Sequence, residues 1–79
     1  MSDIKADVTM DLKGLACPLP VVKVSQQIKK MQVGQVLMAE TTDPGALADF
    51  PAWAKTSGNE IIDTVKDGTT TKFFIKKLK

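Results

Sequence analysis

The sequence predicts an α/β (α+β) two-layer sandwich, in which two helices cover one face of a mixed four-stranded sheet in the order βαβαββ. Three observations predict it: strict apolar–polar alternation over residues 7–13, a helical apolar stripe within residues 18–33, and the Asp67-Gly68 pair between two β-prone segments. With 79 residues the chain has enough material for a single domain, residues 1–79, and too little for a third layer.

The first strand and the first helix follow from hydrophobic periodicity. Period-two alternation over residues 7–13 is typical of a half-buried strand, and Gly14 ends it. The predicted helix spans residues 18–33: Pro18 suits its first position and Gly34 ends it. Its apolar residues are spaced by three, four and three and share one face: Val21, Val24, Ile28 and Met31.

The second half of the chain predicts a strand, a broken helix and a hairpin. Residues 36–42 are apolar on both faces at first, so this strand is expected in the centre of the sheet. Asp43 and Pro44 are the predicted N-cap and first-turn proline of a helical region that Pro51 interrupts, giving a turn over 45–49 and a helix over 51–57. Its expected apolar face is Leu47, Phe50, Trp53 and Ala54, and Gly58-Asn59 ends it. Strands over 60–65 and 70–78 complete the sheet.

Composition excludes several classes of function. Eleven basic residues, all lysine, against 9 acidic ones give a net charge of +2, too small to indicate a nucleic-acid partner. With no histidine and one cysteine, the chain has no Ser-His or Cys-His pair, imidazole ligand or internal disulfide, so neither metal nor cofactor is expected. No apolar run approaches the roughly 20 residues that span a bilayer, and the first residues lack a signal-peptide core. The expected compartment is the cytoplasm.

Cys17 is the one residue with nucleophilic chemistry. The pattern places it at about the N-cap of the first helix, where the helix dipole stabilises an anion and lowers a thiol pKa. Pro18 and Pro20 stiffen the first turn, and Gly14 shapes the approach to it. A buried, structural cysteine is the alternative interpretation. A redox cycle would need a resolving thiol or a base, and the chain has neither. A single thiol is sufficient if one partner protein loads it with sulfur and another removes that sulfur.

The residues around Cys17 resemble the TusA/SirA-like family of small sulfur carriers, whose hallmark is Cys-Pro-x-Pro at the start of the first helix. Here the motif is Cys17-Pro18-Leu19-Pro20, preceded by the lead-in Leu12-Lys13-Gly14-Leu15. Later features also resemble the family: Asp43-Pro44, Asp49-Phe50-Pro51 and the last strand Phe73-Phe74-Ile75-Lys76-Lys77. The resemblance spans nearly the whole chain and implies the βαβαββ sandwich.

The resemblance implies a sulfur carrier, a sulfurtransferase whose Cys17 accepts persulfide sulfur from a cysteine desulfurase or rhodanese. It would relay the sulfur to an acceptor protein in tRNA thiolation, molybdenum-cofactor synthesis or sulfur metabolism, and the resemblance does not choose among these. Family members in tRNA thiolation often have arginine before the cysteine, where this chain has Ala16. The cation that would lower the thiol pKa and meet a partner is therefore missing.

Lysines offer a second set of candidates. Lys13 and Lys23 bracket Cys17 in the sequence and could attract an anionic sulfur or an acidic partner, although solvated lysines are the simpler interpretation. The basic last strand leaves open a regulatory or RNA-binding module with a structural Cys17. Its Phe73 and Phe74 point to opposite faces, so at least one belongs to the core, and nucleic-acid binding is not favoured.

Overall fold

The computed structural model describes residues 5–16 and 18–79, and in them the predicted βαβαββ order is confirmed. The elements are β1 (Val8–Asp11), α1 (Leu19–Ile28), β2 (Val36–Thr41), α2 (Ala46–Ser57), β3 (Glu60–Asp67) and β4 (Thr70–Lys76). The sheet order is β1-β2-β4-β3, with β1 parallel to β2 and the other neighbours antiparallel. β2 is therefore central, as its apolar start predicts.

Both helices pack on the same face of the sheet. The buried positions of β2 and β4 alternate, so one side of each strand meets the helices. One cluster joins residues of the sheet and of both helices: Leu12, Val24, Ile28, Met31, Leu37, Ala39, Ala46, Phe50, Phe73 and Ile75. Phe50 packs on Phe73 with ring centroids 4.6 Å apart, and Trp53 meets Phe50 edge-on at the margin of the core.

The first helix is shorter than predicted. The stripe of Val24, Ile28 and Met31 is buried as expected, but α1 ends at Ile28 rather than at residue 33. The backbone tightens there to i→i+3 bonds, with the Met31 amide donating to the Ile28 carbonyl. The Met31 carbonyl instead accepts a 2.6 Å hydrogen bond from Lys77 Nζ, a partner 46 residues away that periodicity cannot reveal.

The second helix is longer than predicted, and the prediction of a turn over residues 45–49 is wrong. α2 continues through Pro51, because Ala46, Phe50 and Ala54 form one buried stripe only if the helix is continuous. Pro51 itself is exposed. Leu47, expected on the apolar face, is 41% exposed, and Ala46 takes its place in the core.

The start of α2 also differs from the prediction. Its N-cap is Gly45, and Asp43 lies two residues earlier, where Oδ1 accepts the Gly45 amide. The aspartate therefore closes the turn before the helix rather than capping the helix itself. At the other end the prediction is confirmed, because Gly58 adopts the left-handed conformation (φ 81°) and its amide returns to the Ala54 carbonyl.

The predicted hairpin is confirmed with its turn one residue later. Asp67 pairs with Thr70, so Gly68 and Thr69 form the two-residue loop. β3 extends two residues beyond its predicted end and β4 ends two residues before its own, because pairing between the two strands fixes both lengths. In the described part of the chain, neither helix combines the length and apolarity that crossing a bilayer requires.

Candidate functional site

The residues flanking position 17 lie at one end of the sheet, here called the loop end: residues 12–16 and 18, residues 42–45 and the hairpin loop 68–69. Strand direction brings them together. β1 and β2 are parallel and both finish there, and β4 begins there because it runs antiparallel to β2. Each helix follows one of the parallel strands, so α1 and α2 both begin at this end. The loop end therefore gathers two helix N-termini around the segment that carries Cys17.

Gly14 fixes the course of the chain as it leaves β1. Its φ of 84° lies in the left-handed region, while an added Cβ would meet no atom, so the backbone conformation is what requires glycine. The Gly14 amide donates a 3.0 Å hydrogen bond to Thr42 Oγ1, and the Lys13 amide donates to Asp11 Oδ1. The turn before position 17 is thereby tied to the end of β2.

Pro18 and Pro20 shape the start of α1 in different ways. Pro18 is the N-cap, exposed, with φ −97° and ψ 12°, whereas Pro20 is buried in the first turn. The prediction of an N-cap at position 17 is thus wrong by one residue. The Leu19 amide bonds to the Ala16 carbonyl and the Val22 amide to the Pro18 carbonyl, so the chain already turns from residue 16. Cys17 itself lies outside the described residues, and its nucleophilic role stays a prediction.

The two lysines that bracket position 17 in the sequence have different surroundings. Lys13 Nζ lies 3.9 Å from Glu40 Oε2, a long ion pair whose lysine side chain is 46% exposed. Lys23 is exposed on α1 in the turn after Pro20. The supporting role of both lysines stays a prediction.

Sequence reasoning missed three residues of this region. Thr42 holds the Gly14 turn, but its distance of 28 residues along the chain hides the contact. Leu19 and Val22 are 48% and 42% exposed, one turn apart on α1 beside Pro18. The signal for them was present, because neither fits the predicted stripe of Val21, Val24, Ile28 and Met31. They leave an apolar surface directly after the cysteine.

The basic last strand contributes to the sheet face that carries no helix. Phe73 is buried in the core and Phe74 is half-buried on that open face, as the alternation predicts. Lys72 and Lys76 share the face with Phe74, but the strand register places Glu40 beside Lys72 and Glu60 beside Lys76. Each of these lysines therefore has an acidic neighbour, which weakens attraction for a phosphate backbone.

Comparisons with known proteins point in one direction. Residues 8–77 match the family model described as Sulfurtransferase TusA. The sulfur carrier protein TusA of Allochromatium vinosum is 42% identical over 71 residues, covering 90% of this chain and 93% of that protein. The sulfur carrier protein TusA of Pseudomonas putida is 31% identical over 77 residues, covering 98% and 96%.

Further comparisons show how much of two longer relatives this chain spans, and which solved structure shares its fold. A protein of Aquifex aeolicus, named provisionally as a sulfur carrier, is 48% identical over 77 residues, but this chain spans only 39% of its length. The chain likewise spans 40% of a similarly named Bacillus subtilis relative. The crystal structure of a SirA-like protein from Desulfitobacterium hafniense superposes with a TM-score of 0.79 at 19% identity, covering 91% of this chain and 99% of that one. That likeness concerns the fold alone.

Proposed function

The chain belongs to the TusA family of sulfurtransferases, and from this we propose that it is a sulfur carrier whose Cys17 accepts persulfide sulfur and relays it to an acceptor protein. The observation that carries the proposal is the match of residues 8–77 to the family model, because it includes Cys17, the only cysteine of the chain. Its donor would be a cysteine desulfurase or a rhodanese, and its acceptor a protein of tRNA thiolation, molybdenum-cofactor synthesis or sulfur metabolism.

The transfer step needs a thiolate and a persulfide. The Cys17 thiolate attacks the terminal sulfur of the donor persulfide, forming a new S–S bond to Cys17 Sγ. The S–S bond of the donor breaks, and its electron pair leaves on the donor thiolate. One neutral sulfur atom moves and one anion replaces another, so the step consumes no oxidant or reductant. Delivery repeats the same exchange with an acceptor thiolate.

The surroundings of position 17 support this chemistry. The positive end of the α1 dipole points toward the residues that precede the helix, and this favours an anion there. Free amides add little, because Pro18 and Pro20 carry no N–H and the Leu19 amide already donates to the Ala16 carbonyl. The Gly14–Thr42 hydrogen bond on one side and Pro18 and Pro20 on the other hold the flanking backbone. We expect this environment to lower the pKa of the Cys17 thiol below its ordinary value of about 8.5.

Exposed apolar side chains near the cysteine suit contact with a protein partner. Leu19 and Val22 present a small apolar surface beside Pro18, and Lys23 lies next to it. A donor or acceptor must bring its own sulfur to Cys17 and would cover this surface as it does so. The single thiol would need a reducing compartment to remain available, which is the argument for the cytoplasm.

Sulfur loading tests the proposal. Incubation with a cysteine desulfurase and cysteine should add one sulfur atom per chain, visible by mass spectrometry and removed by a reductant. The variant Cys17→Ser should take up none while keeping its unfolding transition, since serine is close in size and cannot form a persulfide. Equal loading of the serine variant, or no loading of the wild-type chain by several desulfurases and rhodaneses, would refute the carrier.

The missing cation before the cysteine offers a second experiment. If its absence limits the site, Ala16→Arg should lower the Cys17 pKa and accelerate loading, because a guanidinium group would then lie beside the thiolate. Ala16 is exposed, so the fold should tolerate the change. An unchanged rate would mean that the helix N-terminus suffices without a neighbouring cation.

A regulatory or RNA-binding module is the second candidate, and the open sheet face argues against RNA. The acidic partners beside Lys72 and Lys76 reduce the positive potential that RNA would require. RNA affinity that falls steeply with salt and disappears in a Lys72→Glu, Lys76→Glu double variant would favour that candidate instead.

A further inference from the structure

A cavity opens at the loop end of the sheet. It has a volume of about 210 Å³ and lies between the start of α2 and the β3–β4 hairpin. Its wall consists of Thr42, Asp43, Pro44, Leu47, Lys66, Gly68, Thr69 and Thr71. Thr42 belongs both to this wall and to the hydrogen bond that holds Gly14, so the cavity and the turn before Cys17 share a residue.

The wall of the cavity is mostly apolar. Leu47 is one of its apolar residues: α2 turns Ala46, Phe50 and Ala54 into the core and leaves Leu47 41% exposed. An exposed leucine at the rim of a concave surface loses the stabilisation that burial would give, and contact with another molecule would restore it. The cavity is therefore suited to an apolar group.

Size and charge restrict the occupant. Small-molecule sites commonly measure about 300–1,000 Å³, and this cavity is smaller, with room for about one large side chain. Asp43 carries the one acidic side chain of the wall, and its Oδ1 accepts the Gly45 amide. Lys66 brings an exposed ammonium group to the wall. A protein that offers an apolar side chain next to a carboxylate could contact Leu47 with the first and pair with the Lys66 ammonium through the second.

We propose that this cavity receives an apolar side chain of the protein that donates sulfur to Cys17, with an acidic residue of that donor against Lys66. The inference rests on the proposed sulfur-carrier function and adds a docking site to it. One inserted side chain would fix the donor at a set position relative to the turn that leads to Cys17. The cavity thus contributes to recognition of the donor and takes no part in the chemistry of the thiol.

The experiment compares a protein donor with a small one. Initial rates of sulfur loading are measured with a cysteine desulfurase supplied with cysteine, at varied carrier concentration, and separately with inorganic polysulfide. Leu47→Asp should raise the carrier KM for the desulfurase about tenfold or more and leave kcat and polysulfide loading within about twofold. Val33→Asp is the matched control: Val33 is 65% exposed at the opposite end of the sheet, and its variant should behave as wild type.

Two further variants keep the proposal testable if Leu47→Asp fails to fold. Leu47→Trp should fill the cavity and also raise KM. Lys66→Glu should raise KM several-fold by repelling the acidic residue of the donor, and the effect should shrink with salt. Lys30→Glu, in the turn that follows α1, should change nothing.

Four results would overturn the proposal. Wild-type KM in Leu47→Asp and Leu47→Trp would mean that the donor does not use the cavity. Slower polysulfide loading in these variants would mean that the substitutions alter the reactivity of the Cys17 thiol rather than the docking of the donor. A wild-type dimer that Leu47→Asp dissociates without affecting loading would assign the cavity to a second copy of the chain. Failure of polysulfide and several protein donors to load the wild-type chain would refute the proposed function, whereas in the first three results the wild-type chain still takes up sulfur.

Discussion

The two ends of the sheet are held in different ways. At the end opposite the loop end, here called the tied end (residues 31–36, 57–60 and 77–78), bonds join residues distant in sequence. The Gly34 amide donates to the Lys77 carbonyl, the Leu78 amide to Asn59 Oδ1, and the Val36 amide to Asp7 Oδ2. At the loop end most described bonds are local turns, and the long-range bonds are those of the Gly14 amide to Thr42 Oγ1 and of the Leu12 amide to the Glu40 carbonyl.

Most of the long-range hydrogen bonds that stabilise the fold outside the strand ladders therefore lie at the tied end, away from the segment that carries Cys17. The tied end fixes the C-terminal ends of both helices and of the last strand. Exposed large apolar side chains occur at both ends: Val33 and Leu78 at the tied end, and Leu19, Val22 and Leu47 at the end that carries the cysteine segment. Segments held by few long-range contacts rearrange at lower free-energy cost, and binding surfaces are drawn from them. A sulfur carrier must bind a donor and then an acceptor. It benefits if the tied end stabilises the fold while the loop end can adjust to each partner.

The largest expected effect on stability is at the tied end. Lys77→Met keeps the aliphatic stem but removes the ammonium that donates to the Met31 carbonyl, leaving a partly buried acceptor unpaired. We expect a loss of about 1.5–3 kcal/mol in the free energy of unfolding, measured by urea denaturation, because hydrogen bonds to charged groups have that magnitude.

Lys76→Met on the open sheet face is the matched control for Lys77→Met and should change stability by no more than about 0.5 kcal/mol. Sulfur loading should proceed at the wild-type rate in both variants. Slow loading in Lys77→Met alone, at a temperature where it is fully folded, would contradict the separation of the two ends.

A smaller loss of stability, coupled to a loss of function, is expected at Thr42. Thr42→Val removes the acceptor of the Gly14 amide while keeping the shape of the side chain. The free energy of unfolding should fall by about 0.5–1.5 kcal/mol, and sulfur loading should slow several-fold because the turn before Cys17 loosens. Thr9→Val, at an exposed position of β1, is the control. A stability loss without any change in loading would show that the turn does not position the cysteine.

The smallest effect is expected at Lys13. Its ion pair with Glu40 is long and largely exposed, so Lys13→Gln should cost no more than about 0.5 kcal/mol. Loading should stay within about twofold of wild type, with the same result for Lys23→Gln. A larger, salt-dependent drop in loading for either variant would establish the supporting role that the sequence suggested for these lysines.

Local signals predicted most of the fold. Alternation identified β1, spacing identified the buried stripe of α1, and Asp67-Gly68 located the hairpin, because each depends on residues that are neighbours in sequence. The predictions were wrong where contacts between residues distant in sequence determine the length of a helix. α1 ends early where Lys77 binds the Met31 carbonyl, and α2 continues through Pro51 because burial of Phe50 and Ala54 outweighs one lost backbone hydrogen bond.

The candidate site was predicted less completely than the fold. Gly14 and Pro20 have conformational roles that follow from residue type, whereas Thr42 enters only through the parallel pairing of β1 and β2. The N-cap is Pro18 rather than position 17, so in the sequence Cys17 precedes the N-cap by one residue. Pro18 and Pro20 carry no amide N–H and the Leu19 amide donates to the Ala16 carbonyl, so the expected stabilisation of a thiolate rests on the helix dipole.

The rate of Cys17 alkylation as a function of pH tests most directly whether the loop end holds a reactive thiolate. Because the thiolate is the nucleophile and the chain has a single thiol, the midpoint of the rate profile reports the pKa of Cys17 alone. The account predicts a midpoint clearly below about 8.5, the value of a free thiol, with full modification of the folded protein. A midpoint at or above that value, or a thiol that reacts only after unfolding, would contradict it and favour a structural cysteine.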